Sequence, residues 1–169
     1  FYQRFGTSLA YDTRNSTQLP NRGQRTEIST EVSVGSTDFY KVEAKSAWYF
    51  PGLFKRHVLE VLGRTGVGDA ISGGDVPFYD RYYLGGLYSL RGYEFRDVAP
   101  RQKPTPGVTV NEPIGGDTYW FGSAEYSVPI IEKDGGVSLR YALFYDIGSV
   151  RANPYSYTFD YSDNWGMGI

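Results

Sequence analysis

No cysteine occurs in the 169 residues, and there is a single histidine, His57. Disulfides and thiolate metal sites are therefore excluded, and His57 has no second histidine or cysteine with which to hold a metal. Basic residues are in no excess. Seventeen Lys and Arg stand against 19 Asp and Glu, so there is no positive field for nucleic acid. Long apolar runs are missing as well, and none approaches the roughly 20 residues that a membrane-spanning helix needs. A mean hydropathy of −0.42 would by itself describe a water-soluble chain. It leaves room for a membrane β-barrel, whose strands alternate polar and apolar residues and average to a hydrophilic value.

Familiar catalytic patterns are absent too. Gly63, Gly66 and Gly68 do not open a helix, so they make no phosphate cradle. No motif context suggests a Ser–His–Asp arrangement. Asn15-Ser16-Thr17 fits a glycosylation sequon, a signal without meaning if the host is bacterial. His57 is expected near a membrane interface. The expectation is a protein that is not an enzyme and takes no cofactor.

What the chain does have is aromatic and glycine content: 17% aromatic residues, 16 of them Tyr among the 169, and 21 Gly. These fall into a period of two. In Phe39–Phe50 the even positions Tyr40, Val42, Ala44, Ser46, Trp48 and Phe50 oppose Lys41, Glu43 and Lys45. That run is long for a soluble strand and matches the roughly 9–11 residues of a tilted membrane strand. The pattern recurs at Arg4–Asp12, Glu27–Gly35, His57–Gly68, Thr118–Ile130 and Val137–Ser149, with a seventh, shorter segment ending Trp165, Met167 and Ile169. Seven antiparallel strands are predicted, an all-β chain.

Period alone leaves two solutions. A soluble sandwich or ligand-binding barrel turns its apolar face inward, whereas a membrane barrel turns it to lipid. Strand length and aromatics near strand ends (Tyr40, Trp48, Phe50, Trp120) favour the membrane. So does the rhythm of connections, short at Gly35–Asp38, Pro51–Lys55 and Ile131–Gly136 and very long at Asp69–Gly116. Both ends break off within alternating segments, so the chain is expected to be part of a larger barrel. Glu43, Lys45, Glu60 and Arg140 are expected to line the lumen in generic charge pairs.

Three stretches carry a resemblance. "DRYYLGGLYSLRGYEFRDVAP" (Asp80–Pro100) resembles the sixth loop of the outer-membrane protein assembly factor family, of the BamA type, with Gly85-Gly86 ahead of an Arg91-Gly92-Tyr93 tip. "LFYDIGSV" (Leu143–Val150) resembles that family's Phe-x-Asp-x-Gly strand, here Phe144, Asp146 and Gly148. "YDTRNSTQLPNRGQRTEIS" (Tyr11–Ser29) resembles its aspartate-to-Pro…Gly periplasmic turn. Each is weak alone; their order and spacing make the match specific.

The resemblance implies a segment of a larger, sixteen-stranded transmembrane barrel, with periplasmic repeats and C-terminal strands lying outside residues 1–169. It implies that 69–116 is an extracellular loop folded into the lumen. It also implies a function: folding and inserting β-barrel proteins into the bacterial outer membrane. Outer-membrane lipids, unfolded outer-membrane proteins as substrates, accessory lipoproteins and periplasmic chaperones would be the partners. A two-partner-type polypeptide secretion pore shares these motifs and remains an alternative. In the family the loop arginine meets acidic residues of the inner wall. Parity in this sequence independently turns Glu125 and Asp146 to the polar side of neighbouring strands. Arg91 is thus expected to latch the loop through Asp146, with Glu125 as second acceptor, its planar fork suiting two carboxylates. Gly92 would let the backbone bend and Tyr93 would pack its ring.

Overall fold

The computed structural model describes residues 2–102, 111–133, 136–158 and 164–169. All its regular structure is strand: β1 (Tyr2–Asp12), β2 (Gly23–Gly35), β3 (Phe39–Pro51), β4 (Val58–Ala70), β5 (Thr118–Lys133), β6 (Gly136–Arg151) and β7 (Asn164–Gly168). They form one antiparallel sheet in chain order. Neighbours in sequence are neighbours in space, the meander that hairpin connections produce.

The predicted elements are all present, with shifted ends. β2 begins at Gly23 rather than Glu27, because Thr13 and Gln24 extend the ladder (Thr13 N–H to Gln24 O, 2.8 Å). β5 runs on past Ile130 to Lys133 through register shifts around Pro129 and Ile131. Pro129 has no N–H to give the ladder, and a bulge absorbs the mismatch. The tip of the β5–β6 turn and residues 103–110 of the long loop lie outside the described residues, as does the side chain of Val137.

Register decides between the two solutions. Leu9 faces Ile28, Ile28 faces Ala44, Trp48 faces Val61 and Ala124 faces Tyr145, so the predicted apolar positions share one face of the sheet. That face is the open one: Leu9, Ile28, Trp48, Val61, Leu143 and Met167 are all exposed. The opposite face carries Arg4, Glu27, Lys41, Glu60, Glu125 and Asp146. A soluble barrel would have the reverse, so the apolar face is the lipid face.

The core sits in an unexpected place, on the polar side. Tyr82, Leu84, Leu90 and Val98 of the long β4–β5 loop pack on Tyr119, Phe121 and Val150 of the wall, with Leu62, Tyr93 and Ala99 at the margin. Leu90 is 0% exposed. The loop is pinned along its length. Tyr82 and Gly116 exchange backbone bonds, as do Leu84 and Val98, and Arg4 of β1 reaches Asp80 at 2.5 Å. Lys41 lies over the Tyr82 ring at 4.4 Å and Arg64 donates to the Tyr88 carbonyl at 3.2 Å. Burying about ten apolar side chains gives this long segment a fixed path across the inner wall.

Candidate functional site

Arg91 is carried to the wall at the tip of that loop. Three glycines shape the approach: Gly85 (φ +111°), Gly86 (φ +95°) and Gly92 (φ +95°) adopt the left-handed backbone that other residues avoid. Gly86 ties the base of the bend to its tip, its N–H bonded to the Tyr93 carbonyl at 3.0 Å. Ser89 closes the tight bend, accepting from Gly85 N–H at 2.9 Å and donating to Gly85 O at 3.0 Å. The Tyr93 ring packs at the edge of the core cluster.

The wall offers Arg91 a square of four side chains. Ser123 and Glu125 of β5 pair in register with Asp146 and Phe144 of β6, and all four project to the polar face. Arg91 Nε donates to Asp146 Oδ2 at 2.7 Å and Nη2 to Asp146 Oδ1 at 2.8 Å, a fork on both carboxylate oxygens. Nη1 donates to Glu125 Oε2 at 2.7 Å, and Nη2 reaches Ser123 Oγ at 3.2 Å. The Arg91 backbone N–H adds a bond to Asp146 Oδ2 at 3.2 Å, while Ser123 donates to Asp146 Oδ1 at 2.7 Å. The guanidinium lies 3.6 Å from the centre of the Phe144 ring, which serves as its floor.

The electrostatics follow from this geometry. The Asp146 side chain is 0% exposed, so its charge is tolerable only because four donors surround it. Its hydrogen bonds, and then those of Glu125, hold the Arg91 guanidinium protonated more firmly than an ordinary arginine. One cation faces two carboxylates, which leaves a net negative site with a bound arginine in its centre.

The structure thus brings Arg91, Glu125 and Asp146 together, with Gly92 and Tyr93 at the tip and Gly85 and Gly86 at its base. It gives Phe144 and Gly148 specific parts as well. A Cβ on Gly148 would stand 2.8 Å from Leu84 Cδ1 and 2.9 Å from the Trp120 carbonyl, so the bare backbone is what admits the loop. Sequence reasoning missed Ser123, the aromatic floor, and Gly166 of β7, where a side chain would collide with the Arg91 carbonyl. Parity could have found Ser123, which lies on the polar face two residues before Glu125.

Other expected lumen residues take hydroxyl partners more than opposite charges. Glu60 accepts from Tyr49 at 3.2 Å and Arg140 donates to Ser127 at 3.1 Å, while Lys41, not Lys45, stands near Glu43 at 3.9 Å. His57 lies in the β3–β4 turn with Nδ1 2.9 Å from the Tyr126 hydroxyl. In the β1–β2 turn Asp12 binds Arg14 at 2.7–3.1 Å and Asn15 Oδ1 accepts from the Asn21 and Arg22 N–H groups. Among the described residues no group of acidic or histidine side chains could hold a metal.

Comparison with known proteins agrees with this architecture. The chain is 35% identical over 143 residues to the outer membrane protein assembly factor BamA of Nitratidesulfovibrio vulgaris, covering 81% of this chain and 17% of that protein. It is 31% identical over 143 residues to BamA of Neisseria meningitidis, covering 80% and 17%. It is 28% identical over 135 residues to the sorting and assembly machinery component 50 homolog of Bos taurus, covering 76% and 26%. The chain therefore spans less than a fifth of the bacterial relatives' length. The crystal structure of BamA from Haemophilus ducreyi lacking POTRA domains 1-3 has the same fold, with a TM-score of 0.77 at 24% identity, over 88% of this chain and 30% of that one. The Omp85 superfamily domain matches residues 2–169, so this chain, a run of membrane-spanning strands with a loop locked to their inner wall, belongs to the Omp85 superfamily.

Proposed function

We propose that the chain is the loop-bearing wall of an outer-membrane protein assembly factor, which folds and inserts β-barrel proteins into the bacterial outer membrane. The relatives whose names state a function are assembly factors or components of an assembly machinery. The observation that carries the chain's own part is the Arg91 constellation: a charged tip gripped by one buried carboxylate, one half-exposed carboxylate and an aromatic floor. A loop held so tightly inside a barrel braces its wall and keeps its lumen shaped while strands are exchanged elsewhere in the ring.

On this reading the long loop is extracellular and returns into the lumen, and Arg91 is its latch. Substrates are unfolded outer-membrane proteins, whose strands pair with an exposed barrel edge. Accessory lipoproteins and periplasmic chaperones deliver them. Strand pairing and apolar burial in lipid supply the driving force, so no nucleotide, cofactor or enzymatic step is involved.

The test uses the intact protein with Arg91→Ala and Asp146→Asn, reading insertion of a barrel substrate into vesicles beside protease resistance of the loop. Both should fall together. If Arg91→Ala leaves both unchanged, the latch is wrong. If loop resistance falls while insertion persists and a partner polypeptide crosses the lumen, the protein is a secretion pore instead.

A further inference from the structure

The described part of the connection between β6 and β7 is residues 152–158. Its first residues turn outward and lie on the lipid side of the sheet. The Thr118 hydroxyl of β5 donates to the Asn153 carbonyl at 3.0 Å, the Tyr155 and Tyr40 hydroxyls meet, and Thr65 Oγ1 is 3.5 Å from the Tyr157 hydroxyl. Tyr40, Thr65 and Thr118 belong to β3, β4 and β5, and register turns all three outward. The segment is thus a strap laid across three strands.

Burial changes sharply there. Thr118 is 0% exposed and its outward partner Val67 is buried, although both face away from the lumen. Outward residues farther from this rim, such as Val61, Phe50 and Leu143, are open. The strap, Ala-Asn-Pro-Tyr-Ser-Tyr-Thr over 152–158, carries no charge. Tyr155 has φ +58°, a conformation that glycine takes more easily, so this position favours the side chain over the easier backbone.

Its level can be read from β3. From Tyr40 to Phe50 the strand rises about 34 Å at roughly 3.4 Å per residue, and a tilt of about 40° reduces this to about 26 Å across the membrane. That equals the height of the apolar band of such barrels, about 25 Å. With Trp48 and Phe50 at one boundary, Tyr40 and the strap lie at the other. Tyrosine favours that layer, because its ring is apolar and its hydroxyl needs a wet partner.

We propose that Asn153–Thr158 is a membrane-interface anchor: the strap rests in the lipid headgroup layer, with the exposed rings of Tyr155 and Tyr157 turned to the lipid and its inner side sealing Thr65 and Thr118 from the bilayer. The partner is the lipid interface itself. This rests on the membrane-spanning fold and not on the assembly function, because depth is measured without any insertion activity.

The experiment places a nitroxide at Tyr157→Cys in the full-length protein, cleared of other cysteines and reconstituted in phospholipid vesicles. Accessibility to oxygen and to a water-soluble nickel chelate is compared with labels at Leu143→Cys, in the apolar band, and Gly73→Cys, in the long loop. The label at 157 should fall between the two, and adding Tyr40→Ala should move it toward the Gly73 value. A label as open to the chelate as the one at Gly73 overturns the proposal, as does one as deep as at Leu143. Tyr155→Trp in otherwise unlabelled protein gives an independent reading. Lipids brominated near the carbonyl end of the chain should quench the added emission more than lipids brominated near the chain terminus, and the opposite order refutes the anchor.

Discussion

Ser123 of β5 and Asp146 of β6 face one another in register, and the Ser123 hydroxyl donates to Asp146 Oδ1 at 2.7 Å while accepting from Arg91 Nη2 at 3.2 Å. The serine therefore both orients the buried carboxylate and completes the arginine's set of acceptors. It was the least conspicuous member of the site and the one that joins the others.

Ser123→Ala should loosen the loop without releasing it. A hydrogen bond to a charged group contributes about 1.5–3 kcal/mol, so the open fraction of the loop should rise at least tenfold. Protease cleavage of the loop in the intact protein, followed in time, measures this.

Arg91→Lys should be far from conservative. Lysine keeps the charge but cannot fork onto Asp146 while reaching Glu125, and it loses the stacked contact with Phe144. Removing one partner of a buried pair costs about 3–5 kcal/mol, and the 21% exposure of the Arg91 side chain points to the lower end. Loop resistance should drop nearly as far with lysine as with alanine, and a lysine variant resembling the native protein would contradict the bidentate geometry.

Phe144→Leu isolates the aromatic floor, since it preserves apolar bulk and removes the π-face. The expected loss is about 1–2 kcal/mol of loop stability, seen as a lower denaturant midpoint for loop exposure with the strands intact.

Gly148→Ala should act through shape alone. The added methyl meets Leu84 and the Trp120 carbonyl below 3 Å, and the latter is backbone that cannot swing aside. The loop core should lift from the wall although every polar partner of Arg91 is retained. Hydrogen exchange at Leu84 and Val98, whose amides bond each other's carbonyls, would report this directly.

At the base of the loop, burial pushes the Asp117 carboxyl up to about 6 from 3.8; Arg81, 3.7 Å away, opposes this, while Asp75 and Asp69 reinforce it. Because the folded value lies above the unfolded one, the protonated form favours the closed loop base. That stability is fully present below about pH 4 and is lost as pH rises through about 6. Exchange protection around Gly68 and Gly116, corrected for intrinsic rates, should fall several-fold across that window. Asp117→Asn should abolish the dependence and hold the low-pH protection at neutral pH.

Much of this was legible in the sequence because the two faces of a strand obey one rule. Alternation located all seven strands, and the same parity turned Glu125 and Asp146 toward the lumen. Which face met lipid was not written in the period, since an inverted barrel gives the same pattern; exposure of Leu9, Ile28 and Met167 decided it. The core inside the barrel was hidden for a related reason. Tyr119, Phe121 and Val150 stand at polar-face positions and break the alternation, and only the loop residues folded over them explain the exception. The outward strap was beyond reach, because nothing in Asn153–Thr158 states which side of the rim it takes.

Arg91 draws its acceptors from two adjacent strands, and this couples its seat to their alignment. A slip of one residue between β5 and β6 would carry Asp146 or its partners Ser123 and Glu125 to the lipid side, since side chains alternate with every residue. Arg91 could then find at most half of its ligands. The seated arginine is consequently a gauge of correct hairpin pairing: its full set of partners exists only on a wall whose two strands are in their proper match.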